Sequence, residues 1–148
     1  MFRQIFSRAW IAIAILLSLV LLIACGTAAT PTGKTGAILK VVMAEGTQGD
    51  AAEPVNPTTV FTPTNIFHAV VTTNNAKPNT KFKAVWYAVD VGTVAPPNTL
   101  IDKAEIVTEG TRNIDFFLKP ETKWPPGTFR VELFVNDALD QVVSFSVK

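Results

Sequence analysis

The sequence predicts an all-β chain, an antiparallel β-sandwich of about seven strands with no disulfide. Apolar residues recur at every second position in one segment after another, the period of a half-buried strand. Turn-forming residues, ten prolines and eight glycines among them, break those segments at roughly 8–12 residue intervals, the spacing of sandwich sequences. No helical spacing persists between the breaks. With its leader set aside, the chain of 148 residues has the length of one ordinary domain.

The leader comes first. Residues 1–8 carry Arg3 and Arg8 but no acid, and Ala9 to Ala24 holds no charge at all. A basic start, an apolar core and a small-residue end make an export signal. The apolar run is shorter than the about 20 residues a membrane span needs, which weighs against an uncleaved helix with an inert buried cysteine. The run closes on Leu22, Ile23, Ala24 and Cys25, the last being the only cysteine in the chain. These four residues resemble the lipobox of bacterial lipoproteins. The resemblance implies that Cys25 receives a diacylglyceryl thioether and that a signal peptidase reading Leu22 and the small Ala24 cuts before it. The covalent lipid on Cys25 is then the only non-protein group expected, with no other cofactor. Each buried methylene of such a lipid contributes about 0.8 kcal/mol, and stable anchoring takes about two chains. The chain divides accordingly into a signal peptide (1–24), a lipidated cysteine with a flexible Gly-, Ala-, Thr- and Pro-rich tether (25–36), and the sandwich (37–148).

Ile38 to Met43 is the first predicted strand, rich in branched residues. Glu45 to Pro57 is polar and broken by Gly46, Gly49, Pro54 and Pro57, so it reads as a loop. The first strand is expected to resume briefly at Thr59 to Phe61, with Pro63 closing it. In the next strand Phe67, Ala69 and Val71 share one face, with Ile66, His68, Val70 and Thr72 on the other. Asn74 to Asn79 is a turn-rich connection. From Lys81 to Asp90, Phe82, Ala84, Trp86 and Ala88 point one way while Lys81, Lys83, Val85, Tyr87 and Val89 point the other. Leu100 to Val107 has no clean face and reads as an edge strand, with Asp102 and Glu105 protecting it. Ile114, Phe116 and Leu118 alternate with Asp115 and Phe117. A stiff turn, Lys123 to Gly127, has its backbone set by two prolines. Phe129, Val131, Leu133 and Val135 then form the clearest strand. Asn136 to Asp140 is a hairpin loop, and Val143, Phe145 and Val147 close the domain.

Trp86 in the third main strand, the Pro-Pro-Gly turn before Phe129-Arg-Val-Glu-Leu-Phe-Val, and the terminal Val143-Ser-Phe-Ser-Val together resemble bacterial immunoglobulin-like domains. The resemblance covers most of the chain after Gly36. Two departures separate it from antibody domains: no cysteines face Trp86, and Phe129 stands where many such domains carry the tyrosine of a tyrosine corner.

The residue inventory excludes most chemistry. Beyond the leader the only serines are Ser144 and Ser146 and the only histidine is His68, and nothing in their spacing suggests a Ser-His-acid set. One histidine with no free cysteine makes no zinc site. Asn136, Asp137 and Asp140 offer oxygens to calcium, but these residue types equally serve hairpin turns, the favoured reading, and no metal is expected. Of 13 basic residues Arg3 and Arg8 lie in the leader, leaving 11 against 12 acids and a mature chain near −1, with no basic excess for nucleic acid. What remains is binding. Val85, Tyr87, Val89 and Phe134 point outward, with Arg130 and Glu132 on the same face, and an apolar patch rimmed by charge often marks a partner site. Alternatively, the Val91–Thr99 loop or the next strand covers it. The chain is therefore expected to be an extracytoplasmic lipoprotein, anchored to the bacterial membrane or envelope through its lipid and not an enzyme. It would act as a binding or assembly module for an envelope protein or glycan, with Val85, Tyr87, Arg130 and Phe134 as the partner face. The alternative is a solute- or glycan-binding receptor accessory domain, in which Tyr87, Phe134 and Trp124 stack on sugar rings.

Overall fold

The computed structural model describes residues 34–148. Leu22, Ala24, Cys25 and the first part of the tether lie outside them. Nine strands follow in order: β1 (Ile38–Gln48), β2 (Glu53–Pro57), β3 (Val60–Phe61), β4 (Phe67–Thr73), β5 (Ala76–Asp90), β6 (Thr99–Gly110), β7 (Asn113–Leu118), β8 (Gly127–Val135) and β9 (Ala138–Val147). They form a four-stranded sheet, β2-β1-β4-β7, and a five-stranded sheet, β3-β9-β8-β5-β6. All pairings are antiparallel except that of the short β3 with the end of β9. The chain crosses between sheets from β4 to β5, from β6 to β7 and again from β7 to β8, and its first strand is divided between the two layers. This is the topology of an immunoglobulin-like sandwich.

Alternation places the core where the sequence puts it. Phe67, Ala69 and Val71 of β4 meet Phe82, Ala84, Trp86 and Ala88 of β5, Phe129, Val131, Leu133 and Val135 of β8, and Phe145 and Val147 of β9. The Phe67 ring lies 4.9 Å from Phe61, 4.8 Å from Phe145 and 5.7 Å from Phe129, centroid to centroid. Tilted and edge-on arrangements of this kind set the positive rim of one ring against the negative face of the next. Trp86 meets Phe145 edge-on at 6.0 Å.

Four segments depart from expectation. The Asn136–Asp140 loop narrows to the two-residue turn Asn136–Asp137, because β9 starts at Ala138. Glu45–Pro57 is not a loop: β1 runs on to Gln48 and turns at Gly49–Ala52 into β2. The resulting hairpin folds back over the outer side of the four-stranded sheet. The Thr47 hydroxyl reaches Asp115 on β7, and the Asn113 amide donates to the Ala51 carbonyl. Val70, on that outer side, is only 1% exposed beneath it. Its prolines are tolerated because β2 is an edge strand, where an absent N–H costs no ladder bond. Next, β5 starts at Ala76, so the turn before it shrinks to Asn74–Asn75. Finally, the Lys123–Gly127 turn is folded into the end of the sandwich. The Trp124 ring stacks on Phe67 at 4.6 Å, and its Nε1–H donates to the Asn65 carbonyl over 2.9 Å. Gly127 is required there by space as well as conformation. Its φ is 152°, and a Cβ would collide with the Asp90 carbonyl and with Val91.

Two ends result. The chain enters at one end beside the turns at Asn74–Asn75 and Asn136–Asp137. Thr35 donates both its N–H and its hydroxyl to Asp140 of β9, and Asn74 bonds the Gly36 and Ala37 carbonyls. The loops Thr62–Ile66, Val91–Asn98 and Lys119–Pro126 gather at the opposite end.

Trp86→Ala should cost about 3–5 kcal/mol, as truncation of a buried aromatic does, whereas Trp124→Ala, removing a partly buried ring, should cost less. Urea unfolding of the two variants checks this, and equal losses would contradict the core described here.

Candidate binding surface

The outward side of the five-stranded sheet is built from cross-strand pairs between β5 and β8. Lys83 stands opposite Phe134, Val85 opposite Glu132, and Tyr87 opposite Arg130. Directly opposed side chains lie about 4.5–5.5 Å apart at Cβ, so each cation can fold over its partner's ring. The Arg130 guanidinium lies 4.3 Å from the Tyr87 centroid and the Lys83 ammonium 4.8 Å from that of Phe134. Cation–π contacts of this kind are worth about 0.5–1 kcal/mol at exposed sites, and the aliphatic stems shield apolar ring surface from water.

The cations are themselves held. Arg130 donates through Nε to Glu132 at 2.8 Å and through Nη1 to the Asn98 amide oxygen. Lys81 and Lys83 both reach Asp137 in the β8–β9 turn, at 2.6 and 2.8 Å. Asn136 and Asp137 have φ of 48° and 66°, the doubly left-handed geometry of a tight hairpin, which aims the Asp137 carboxylate back across β5. Hydrogen bonds from Lys81 and then Lys83 hold that carboxyl down to about 2. The same Asp137 hydrogen bond raises Lys81 above its ordinary value.

Of the four residues expected on this face, Tyr87, Arg130 and Phe134 are half-buried and reachable. Val85 is only 8% exposed; flanked by Lys103 and Glu132 on the neighbouring strands, it is the floor of the face and not part of its contact surface. The cover is therefore mostly side chains of the sheet itself, joined by Asn98 of the Val91–Asn98 loop, which bonds Arg130. Lys83 and Asp137 belong to the same surface. Lys83 was readable from its outward parity, whereas Asp137 was not, because its role depends on how the turn is wound.

The other candidates are spent separately. His68 Nδ1 lies 2.8 Å from Asp115, under the β1–β2 hairpin, and the hydroxyl nearby, Thr47, bonds Asp115 too. Ser144 and Ser146 are on β9, in the opposite sheet. Asn136 accepts from the Lys81 N–H, Asp137 pairs with lysines, and Asp140 is buried and bonded to Thr35. Trp124 has one ring face on Phe67 and its N–H on Asn65, which leaves little of it for a sugar. Among the described residues, no cluster of three or more His, Cys, Asp or Glu is arranged for a metal, and no helix is long and apolar enough to cross a membrane.

No protein-family description matches the chain, and no curated protein is similar to it. Among solved structures it is similar to a crystal structure of an immunoglobulin-like protein from Pseudomonas aeruginosa, with 18% identity and a TM-score of 0.46, over 74% of this chain and 92% of that one.

Because the folded-state carboxyl of Asp137 lies below its ordinary 3.8, its pairing stabilises the fold above that value and is lost as pH falls through about 2. Asp137→Asn should therefore lower the melting temperature slightly at pH 7. The gap to the parent protein should close between pH 4 and 2; a gap constant with pH would show that the lysine pairing contributes nothing.

Proposed function

We propose that this chain is a membrane-anchored lipoprotein of the bacterial envelope, held by lipid on Cys25, whose sandwich is a non-enzymatic binding module. The anchor rests on the Leu22–Cys25 motif behind a basic, apolar leader. A tether entering beside Asn74 and Asp140 would leave the Thr62–Ile66, Val91–Asn98 and Lys119–Pro126 loops at the end away from the lipid. The binding role rests on one observation. The chain's own hairpin roofs the Val70, His68 and Asp115 part of the outer side of the four-stranded sheet, leaving Phe117 on its edge strand exposed, whereas the outer side of the five-stranded sheet is covered only by long side chains. Lys83 and Arg130, on exchanging their contacts with Asp137, Glu132 and Asn98 for contacts with a partner, would swing off Phe134 and Tyr87 and expose two aromatic faces and two cations together. Aromatic and arginine side chains of this kind supply much of the affinity at protein interfaces. A protein partner with apolar and acidic groups fits this surface; a glycan could use only Tyr87 and Phe134.

Cys25→Ser should leave the sandwich folded and abolish lipid attachment. Mass spectrometry of the mature protein tests this, and an unmodified Cys25 in the parent chain would remove the anchor. Replacing Tyr87 and Phe134 with Ser should lower the melting temperature only modestly, through loss of two cation–π contacts of about 0.5–1 kcal/mol each, while cross-links to the envelope partner disappear. A large fall in melting temperature would mean the face is internal structure. Binding of the parent to a glycan array, lost in the same double variant, would favour the sugar.

A further inference from the structure

The free edge of the five-stranded sheet carries a pattern complementary to itself. β6 is an outer strand of twelve residues without proline, and among the described residues no strand pairs with its far side. Its register against β5 shifts twice, once between Ala76 and Thr80 and again at Trp86–Tyr87, where Trp86 faces Asp102 but Tyr87 faces Leu100, so Ile101 is an extra, bulged residue. Because of that bulge Leu100 falls on the outward side together with Lys103, Glu105 and Val107, beside Tyr87, Val85, Lys83 and Lys81 respectively. Leu100 and Val107 are 54% and 61% exposed, among the most exposed large apolar side chains in the domain.

We propose that β6 pairs antiparallel with β6 of a second copy about a twofold axis through Ala104, joining two sandwiches through one ten-stranded sheet. In this register the small Ala104 side chains meet on the axis. Lys103 of each copy stands opposite Glu105 of the other, twice over. One step outward the bulge sets two residues against one, bringing Leu100 of each copy opposite Val107 of the other.

Neighbouring registers fail. A slip of one residue pairs outward side chains with inward ones, against the pleat. A slip that centres the axis on Lys103 or on Glu105 sets like charges directly opposite, which destabilises. Charges that shield an edge from foreign strands thus admit a second copy in one register. The pairing is independent of the partner-binding reading and would double the Tyr87–Phe134 surface within one assembly.

Directly opposed residues of an antiparallel pair have Cα atoms about 4.5–5.5 Å apart, within disulfide reach, so Ala104→Cys in the full-length chain, oxidised in membranes of the expressing cells, reports the contact. Cys25 is common to every variant, and the parent chain sets its background. Ala104→Cys should give a linked homodimer well above that background and above Glu109→Cys, which lies off the axis. Adding Lys103→Glu should cut linkage about tenfold, by turning two attractive cross-strand pairs into repulsive ones. Adding Glu105→Lys to that variant should restore it. Protease resistance of each variant confirms that it is folded. Linkage no greater at position 104 than at 109, indifference to the charge reversal, or linkage to a different protein would each overturn the proposal.

Discussion

The insertion of Phe67 between the two sheets is the contact on which this sandwich depends. There is no disulfide to join the layers: the chain has a single cysteine, Cys25, and it lies outside the sandwich strands. Phe67 is the aromatic that the four-stranded sheet contributes to this cluster, and it touches Phe61, Phe129 and Phe145 of the other sheet as well as Trp124 from the loop closing that end. A core held this way draws its stability from buried area and ring geometry. The loop that carries Trp124 is tied down at that residue, by ring stacking on Phe67 and by the bond from the Trp124 backbone N–H to the Pro63 carbonyl.

Period-2 alternation made most of this legible. In β4, β5, β7 and β8 the inward residues named from the sequence are those buried in the core, because a strand with one wet face has only one register that works. The divided first strand was readable too, from Pro57 and Pro63 on either side of Val60 and Phe61. The β1–β2 hairpin was not. It lies over an outer face, so it needs little apolar pattern of its own, and Gly46, Gly49, Pro54 and Pro57 resemble the composition of a loop. Val85 shows the same limit in reverse. Its outward direction was correct, but direction does not give exposure when the neighbours are Lys103 and Glu132 with stems long enough to close over it.

The two outer faces therefore differ in kind. One is sealed by backbone except at Phe117 on its edge strand: lifting the hairpin would break the hydrogen bonds of Thr47 and Asn113 and uncover Val70, His68 and Asp115. The other is sealed by rotamers, with Arg130 and Lys83 laid over Tyr87 and Phe134 and steadied by Glu132, Asn98 and Asp137. The Lys83–Asp137 pair is exposed, and such pairs are weak, while Arg130–Glu132 is part-buried; a partner that replaces both contacts reaches the rings without opening the fold. That difference, more than any single residue, is the ground for proposing the five-stranded sheet as the binding face.

Hydroxyl-radical footprinting tests that assignment most directly, comparing the protein in its native envelope with the purified protein. The account predicts that Tyr87 and Phe134 become protected in the envelope. Phe117, 62% exposed on the opposite sheet, should keep its reactivity. Protection of Phe117 with Tyr87 and Phe134 unchanged would contradict it, and would move the functional face to the other side of the sandwich.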